Sequence, residues 1–279
     1  MKSMKKVALI AIIAAIVVVS AGTVSAGWFD FLGGSSDNST ANVNLSGQEV
    51  HLAAAASLKN TFDEKLIPMF EQKYPGVKVV PTYASSGDLQ TQIENGLETD
   101  VFMSAGNKQM NALAKEDIVD NSTNLQFLEN KVVLIVPANS SSSISSFQDL
   151  KNVSGNIAIG DPESVPAGQY AREVLNHTGV WDSVQSKLSL GTDVTAVLNQ
   201  VAEGSAECGI VYSTDAKSMP DKVKVVCEAN NSDLDTPVVY PVASLKNATH
   251  QEAAKTFLDF LQTKEAKDVF VEYGFTIHE

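Results

Sequence analysis

The sequence predicts an α/β protein of two lobes, built on mixed, mainly parallel sheets with helices on both faces. Two observations support this fold class. Short apolar runs typical of buried strands alternate with helical segments through most of the chain, and this alternation favours parallel strand pairing. The alternating part also extends over about 230 of the 279 residues, which suggests two lobes rather than one.

The strands are predicted from short apolar runs that end at small, polar or turn-forming residues. The segment VHLAAAA at 50–56 is typical of a buried strand, and KVVLIV at 131–136 is strongly apolar. Further strands are predicted at 77–83, 101–104, 157–159, 209–212, 223–226 and 238–243.

The helices are predicted where apolar residues recur at helical spacing. From Leu58 to Tyr74 every fourth residue is apolar or aromatic, and Pro68 is expected to kink this first helix. Further helices are predicted at 88–96, 109–115, 167–176, 194–203, 251–261 and 265–273.

The N-terminus has the pattern of an export signal. Three lysines precede a continuous apolar run, Val7–Ala21, and a small-residue cleavage pattern ends at Ala26. Residues 1–26 are therefore predicted to be a signal peptide or, alternatively, a retained N-terminal anchor. Residues 27–47 are rich in Gly, Ser and Asn, and they are predicted to be a flexible tether. We expect an exported protein, periplasmic or on the extracellular face of the cell membrane, with or without a membrane tether.

The charge balance excludes some functions. With 20 Lys+Arg against 33 Asp+Glu, the net charge of −13 argues against nucleic acid as a partner. Arg172 is the only arginine, so no cluster of guanidinium groups can bind a ligand. The four histidines lie far apart in the sequence, which disfavours a histidine-based metal site.

The two cysteines, Cys208 and Cys227, leave two interpretations open. An exported protein can form a disulfide between them. Both also lie in apolar, strand-like runs, which is equally consistent with two buried free thiols.

Four predicted strand-to-helix junctions carry small and polar residues. Open α/β sheets bind their ligands at such junctions. Each helix start presents unpaired N–H groups and a partial positive charge, so several starts that converge make an anion site without Lys or Arg. The alternative for each junction alone is plain helix capping. The junctions contain Ser57, Ser85-Ser86-Gly87, 160–168 and Thr192-Asp193-Val194.

Eight segments are distributed, in this order, over nearly the whole range of residues 50–277: AAAASLKN, YASSGDLQTQIENG, TDVFMSA, GDPESVPAGQYA, TDVTAVLNQV, ECGIVYSTDA, VVYPVA and YGFTI. With these motifs the sequence resembles the molybdate-binding proteins, the extracytoplasmic solute receptors of molybdate ABC importers. The resemblance implies a type II periplasmic-binding-protein fold, in which two lobes joined by hinge strands close over one tetrahedral oxyanion.

The resemblance also implies the organisation and partners of the chain. Lobe 1 is expected to comprise 48–130 and 236–279, and lobe 2 to comprise 131–235. The protein is expected to be a monomer without enzymatic activity or cofactor, which delivers molybdate or tungstate to a membrane ABC permease.

The family's ligand contacts carry over to five positions. Ser57 and Ser86 would each give a hydroxyl and a backbone N–H, Ala167 and Val194 a backbone N–H, and Tyr212 its phenol hydroxyl. No protein atom is expected to bind the metal directly, although some archaeal relatives add carboxylates, for which Asp161, Glu163 and Asp193 are the candidates. One departure is Gly87, where many members have a further Ser.

Three alternatives remain. A receptor for another tetrahedral oxyanion, such as sulfate, differs only in cavity size, whereas protonated phosphate would leave an O–H unpaired. A secreted serine hydrolase would use Ser57 or Ser86 as nucleophile, but the sequence has no G-x-S-x-G elbow. A purely structural surface protein would leave the junction chemistry unexplained.

Overall fold

The computed structural model describes residues 45–279. The predicted export segment and residues 27–44 of the predicted tether lie outside the described residues. Leu45 is only 2% exposed and belongs to the hydrophobic core, and the Gly47 N–H donates to the Gly76 carbonyl at 2.9 Å. The tether boundary predicted at residue 47 is therefore too late. Within residues 45–279, no helix is long and apolar enough to cross a membrane.

Eleven strands form two sheets in the described part of the chain. They are β1 Glu49–Ala55, β2 Lys78–Ala84, β3 Val101–Met103, β4 Leu125–Glu129, β5 Val132–Pro137, β6 Ile157–Gly160, β7 Leu188–Gly191, β8 Cys208–Tyr212, β9 Val223–Glu228, β10 Val239–Ser244 and β11 Thr276–Ile277. The first sheet has the order β11-β4-β10-β3-β1-β2, and the second has the order β7-β6-β8-β5-β9.

The predicted two-lobed α/β fold with mixed sheets is confirmed, but the sheets are not mainly parallel. Among the described strand pairs, four are parallel and five are antiparallel. The antiparallel pairs all involve β5, β10 or β11. Both β5 and β10 follow a crossing of the chain from one sheet to the other, between Glu129 and Val132 and between Glu228 and Val239. Each of these two strands therefore runs antiparallel to its neighbours in the sheet that it enters.

The helices pack on the two sheets. They are α1 Lys59–Thr61, α2 Ile67–Lys73, α3 Ser86–Glu94, α4 Asn107–Lys115, α5 Pro166–His177, α6 Trp181–Val184, α7 Val194–Ala202, α8 Ser213–Ser218, α9 Gln251–Leu261 and α10 Lys264–Tyr273. The long first helix that the sequence predicts is irregular, because a π-helical turn at Phe62–Leu66 precedes Pro68. Proline lacks an N–H and its ring conflicts with the carbonyl four residues earlier, so regular α geometry is interrupted there.

The strand β1 is covered on both faces, as its apolar sequence predicts. Ala54 belongs to the main core cluster, whereas Ala53 packs in a second cluster with Phe102 and Leu113 on the opposite face. Side chains alternate between the faces of a strand, so a strand buried on both sides needs apolar residues at every position.

Cys208 and Cys227 are both free thiols, so the predicted possible disulfide is not formed. They lie on β8 and β9, and β5 runs between these two strands. Two strand spacings amount to roughly 9–10 Å, whereas a disulfide needs Cα atoms within about 7 Å. Burial raises the pKa of Cys208 to about 12 and that of Cys227 to about 11, which keeps both thiols protonated.

Candidate functional site

A small cavity lies where the carboxyl ends of strands from the two sheets meet. All five residues that the sequence analysis assigns to an oxyanion line it: Ser57, Ser86, Ala167, Val194 and Tyr212. They come from five separate segments of the chain: two follow β1 and β2, one is the last residue of β8, and two lie at the starts of α5 and α7. Only about 10 Å³ is open to the centre of a water-sized sphere, which is close to the room that one water needs.

Ser86 occupies the first turn of α3 and is fully buried. Its neighbour Ser85 caps this helix by accepting the Asp88 N–H at 3.1 Å. The Ser86 Oγ accepts the backbone N–H of Ala105 at 2.9 Å. Since this contact uses a lone pair of the oxygen, the hydroxyl proton of Ser86 stays available to donate to a ligand.

Ser57 is part of a polar chain that starts at the crossing between the sheets. The Asn130 Nδ2 donates to the Tyr240 hydroxyl at 3.2 Å, and this hydroxyl lies 3.0 Å from the Ser57 Oγ. With Asn130 as donor to Tyr240, the Tyr240 proton is free to reach Ser57, and the Ser57 proton is free for the cavity. Tyr240 is buried, and burial raises the pKa of its phenol well above the usual value, so it remains a neutral donor.

Tyr212 ends β8 and is almost completely buried. Its hydroxyl donates to the Ala105 carbonyl at 3.3 Å, a long hydrogen bond that connects the second sheet to the first. Burial raises the pKa of the Tyr212 phenol well above its usual value, with Tyr240, Tyr170 and Asp215 adding to the effect. Tyr212 is therefore a neutral hydroxyl donor at the cavity.

Ala167 and Val194 bring the starts of two helices to the cavity. At α5, the N–H groups of Gly168 and Gln169 donate to the Val165 carbonyl, and Pro166 supplies no donor. At α7, the Asp193 side chain accepts the Ala196 N–H at 2.8 Å. Among the hydrogen bonds of the described residues, none uses the backbone N–H of Ala167 or Val194, as expected in a first helical turn.

The cavity is lined without Lys, Arg or His within the described residues. Arg172 instead pairs with the exposed Glu163, at 3.2 Å. The donors that this cavity offers to an anion are therefore neutral hydroxyls, backbone N–H groups and helix starts, which complement negative charge through their dipoles.

The three candidate carboxylates are placed differently. Asp161 and Glu163 do not line the cavity, because Asp161 accepts the Glu163 N–H at 3.0 Å and Glu163 points to Arg172. Asp193 does line it, but its carboxylate caps α7. The structure thus gives no support for carboxylate ligands from Asp161 or Glu163, and it gives Asp193 a capping role.

Sequence reasoning missed several residues of the site. Tyr240 and Asn130 support Ser57, and Ala105 connects Ser86 with Tyr212. The buried Asp215 was also missed: it accepts the Tyr212 backbone N–H at 3.2 Å, and desolvation by burial raises the pKa of its carboxyl to about 7. A carboxyl group with a raised pKa beside a cleft is typical of functional sites. Only the structure could reveal it, because the burial of Asp215 depends on its tertiary neighbours.

A larger cavity of about 440 Å³ lies next to the small one and shares Ser57 with it. Its lining includes charged side chains such as Lys59, Glu64 and Lys217. It lacks Ser86, Ala167 and Tyr212, so the converging neutral donors belong to the small cavity.

Two sheets with their helices, and a small cavity lined by residues that follow strands of both sheets, are the features of an extracellular solute receptor. Residues 50–276 match the family of bacterial extracellular solute-binding proteins. The chain is 37% identical to the molybdate-binding protein ModA of Haemophilus influenzae, over 82% of this chain and 90% of that protein. It is 36% identical to a Bacillus subtilis protein provisionally named ABC transporter substrate-binding lipoprotein YvgL, over 89% and 94%.

A solved structure agrees with these relatives. A Clostridium difficile protein, provisionally named as the substrate-binding domain of a molybdenum ABC transporter, superimposes with a TM-score of 0.64 at 38% identity, over 83% of this chain and all of that one. The chain belongs to the bacterial extracellular solute-binding proteins and, among them, to the family of ModA-type molybdate-binding proteins. This is a family of non-enzymatic receptors, in line with the expectation that the chain is not an enzyme.

Proposed function

We propose that this protein captures molybdate, and also tungstate, in the small cavity between its lobes and delivers the anion to the membrane permease of an ABC importer. The observation that carries the proposal is the convergence of five neutral donor residues from both sheets on one cavity that has no cationic side chain. The family and the names of the relatives support molybdate as the ligand.

Each residue has a defined part in this proposal. Ser57 and Ser86 donate hydroxyl protons, because other groups occupy their lone pairs. Ala167 and Val194 give backbone N–H groups at helix starts, and Tyr212 turns its hydroxyl from the Ala105 carbonyl to the anion. Short hydrogen bonds to a charged acceptor are stronger than neutral ones, especially in a dry cleft.

The same donors explain selectivity. Molybdate and tungstate present bare oxygens, whereas phosphate near neutral pH also carries protons. An O–H group buried among donors finds no acceptor, which costs about 1–3 kcal/mol. Sulfate has four bare oxygens as well, so it must be rejected by size: its smaller tetrahedron reaches fewer donors at once.

Capture is proposed to be a hinge closure. The lobes are 48–130 with 236–279, and 131–235, and they move about the two crossings of the chain. Ser57 and Ser86 belong to the first lobe, whereas Ala167, Val194 and Tyr212 belong to the second, so neither lobe alone supplies a complete set of donors. A ligand that binds only the closed arrangement shifts the population towards it, and the permease can then distinguish a loaded monomer from an empty one.

The N-terminal segment is proposed to export the chain. Residues 1–26 act as a signal peptide or anchor, and the following segment connects it to the receptor, which places the binding cavity outside the cell membrane. The match to extracellular solute-binding proteins supports this location.

Calorimetric titration with molybdate, tungstate, sulfate and phosphate tests the proposed function. We expect tight binding of molybdate and tungstate, weak binding of sulfate and none of phosphate. Molybdate should also raise the melting temperature, because a ligand that binds only the folded state stabilises it. Equal affinity for sulfate and molybdate would identify a different receptor, and a lack of binding to all four anions would reject the oxyanion site.

Ser86→Ala is expected to weaken molybdate binding by about 1–3 kcal/mol, or roughly 5- to 150-fold, because one buried donor is lost. Calorimetry measures the change. Tyr273→Phe is the matched control: Tyr273 lines only the larger cavity and donates to Glu64 at 2.6 Å. If Tyr273→Phe weakens binding and Ser86→Ala does not, the anion binds in the larger cavity instead.

A further inference from the structure

Two histidines that are far apart in the sequence meet at the end of the first sheet that is remote from the oxyanion cavity. His51 lies near the amino end of β1, Asp100 directly precedes β3, and His250 is the N-cap residue of α9. One potential ligand atom from each residue lies within 4.8 Å of the others. The parallel strands β1 and β3 run from this cluster towards the cavity, so the two sites occupy opposite strand ends.

Asp100 is the buried centre of this cluster. Its side chain is 0% exposed, and its carboxylate accepts the backbone N–H groups of His51 at 2.8 Å and His250 at 3.1 Å. Among the ion pairs of the described residues, its partner is the His250 imidazole, at 3.3 Å. No Lys or Arg pairs with this buried carboxylate among the ion pairs of the described residues, and a bound cation would complement its charge.

The distances suit a tetrahedral metal ion. Zinc binds imidazole nitrogen and carboxylate oxygen at about 2.0–2.2 Å. In tetrahedral geometry, bonds of this length place neighbouring ligand atoms about 3.3 Å apart. The His250 Nδ1 and the Asp100 Oδ2 are 3.3 Å apart without any movement. The rings of His51 and His250 lie 5.8 Å apart, with an angle of 14° between them, and the three ligand atoms lie within 4.8 Å of one another, so a small approach of the side chains completes a three-residue site.

Glu49 orients the remaining imidazole. Its carboxylate lies 3.1 Å from the His51 Nε2, which leaves the Nδ1 of His51 as the ligand atom. Histidines that bind metals commonly donate their other ring N–H to a carboxylate in this way. The His51 and His250 side chains are 20% and 24% exposed, so an ion can enter from solvent.

We propose that His51, Asp100 and His250 form a binding site for a divalent transition-metal ion of the zinc class, separate from the oxyanion cavity. Two imidazole nitrogens and one carboxylate favour such an ion over calcium or magnesium, which prefer oxygen ligands. A water molecule takes the fourth position. The bound ion ties β1, the start of β3 and the start of α9 together, and it thereby stabilises the first lobe.

The proposal is tested on the metal-free full chain by titration with Zn²⁺, followed by calorimetry, and with Co²⁺, followed by its visible absorption. The wild-type chain should bind one ion, and the double variant His51→Gln, His250→Gln should bind it at least about tenfold more weakly. His177→Gln is the matched control, because His177 also pairs with one carboxylate, Asp235, but lies outside the cluster. Zn²⁺ should raise the melting temperature of the wild type and of His177→Gln, and it should do so less in the double variant.

Circular dichroism verifies that the variants are folded, and His51→Gln alone replaces the double variant if that one does not fold. Zinc affinity that is equal in the wild type and the His51 variants would overturn the proposal, as would a loss of zinc binding in His177→Gln. Molybdate titration of the same proteins reports on the oxyanion cavity independently. A failure of molybdate binding would therefore count against the proposed function and would not count against the zinc site.

Discussion

Replacing Gly87 by alanine is expected to weaken molybdate binding strongly while each lobe stays folded. Gly87 lies in the first turn of α3, in the first lobe, and its N–H donates to the Ser164 carbonyl of the second lobe at 2.9 Å. A Cβ atom at Gly87 would lie 2.3 Å from the Ser164 carbonyl oxygen and 2.7 Å from its Cα. Both are backbone atoms, so the contact cannot be relieved by a side-chain rotation.

The expected effect of Gly87→Ala follows from this contact between the lobes. Overpacking of this kind typically costs about 1–3 kcal/mol, and under the proposed hinge closure this cost falls on the closed arrangement alone, so the affinity should drop roughly 5- to 150-fold. Alanine is a better helix former than glycine by up to about 1 kcal/mol, so the open protein should not lose stability. Calorimetry measures the affinity, and small-angle scattering measures whether molybdate still compacts the protein.

Gly106→Ala is the graded control for this experiment. Its Cβ would also face the other lobe, but at 3.3 Å from the Pro166 Cβ and 3.5 Å from the Tyr170 hydroxyl, both of which are side-chain atoms. We expect a much smaller loss of affinity there. Equal affinities of Gly87→Ala and the wild type would show that molybdate binds without the close approach of Gly87 to Ser164.

The Gly87 contact also explains a departure that the sequence alone left without a reason. The Ser164 carbonyl occupies the space that a side chain at Gly87 would need. The pairing of Gly87 with Ser164 depends on two segments that are far apart in the sequence. The sequence motif could identify Gly87 as unusual, but it could not show that the Ser164 carbonyl fills the space of the missing side chain.

The five residues that the sequence assigns to an oxyanion show what sequence could predict. Each belongs to a short motif in a fixed order, and the fold brings all of them to one cavity. Sequence reasoning missed Tyr240, Asn130 and Asp215 because their roles depend on tertiary neighbours. In the sequence Tyr240 is only part of an apolar strand motif, and its contact with Ser57 is visible only in the structure.

The strands likewise divide into those that the sequence predicts and those that it does not. Strongly apolar runs such as β5 were predicted, whereas β4, β7 and β11 were not, because they are short or only partly buried. The antiparallel direction of β5 and β10 follows from the crossings between the sheets, and hydrophobic patterning carries no information on strand direction. The distance between Cys208 and Cys227 was likewise fixed by β5 between their strands.

Asp215→Asn is expected to stabilise the protein above neutral pH. Desolvation by burial raises the pKa of the Asp215 carboxyl from its usual 3.8 to about 7 in the folded state. Between these two values the folded state holds a proton that the unfolded chain releases. The contribution of Asp215 to the free energy of unfolding is therefore fully present below about pH 4, and it is lost as the pH rises to about 7. A shift of this size corresponds to a free energy on the order of 4 kcal/mol.

The asparagine variant removes this dependence while it keeps the local hydrogen bond. Its amide oxygen can still accept the Tyr212 backbone N–H, and the side chain never becomes charged. Urea unfolding at pH 4, 6 and 8 should show similar stabilities at pH 4 and a growing advantage of Asp215→Asn at pH 8. Asp120→Asn is the control of opposite sign, because hydrogen bonds from Ser122 lower the pKa of that exposed carboxyl. Parallel pH profiles for the wild type and Asp215→Asn would mean that Asp215 is already ionised in the folded protein.

The same substitution connects stability with anion binding. Asp215 raises the pKa of both Tyr212 and Tyr240 through its charge, which places it within electrostatic reach of the hydroxyls around the cavity. Once Asp215 loses its proton, a buried negative charge lies beside Tyr212, which lines the cavity proposed to hold a dianion, and the repulsion between the two charges is poorly screened there. The molybdate affinity of the wild type should therefore fall as the pH rises from about 6 to 8, whereas that of Asp215→Asn should stay nearly constant. An identical decline in both proteins would assign the pH dependence to another group.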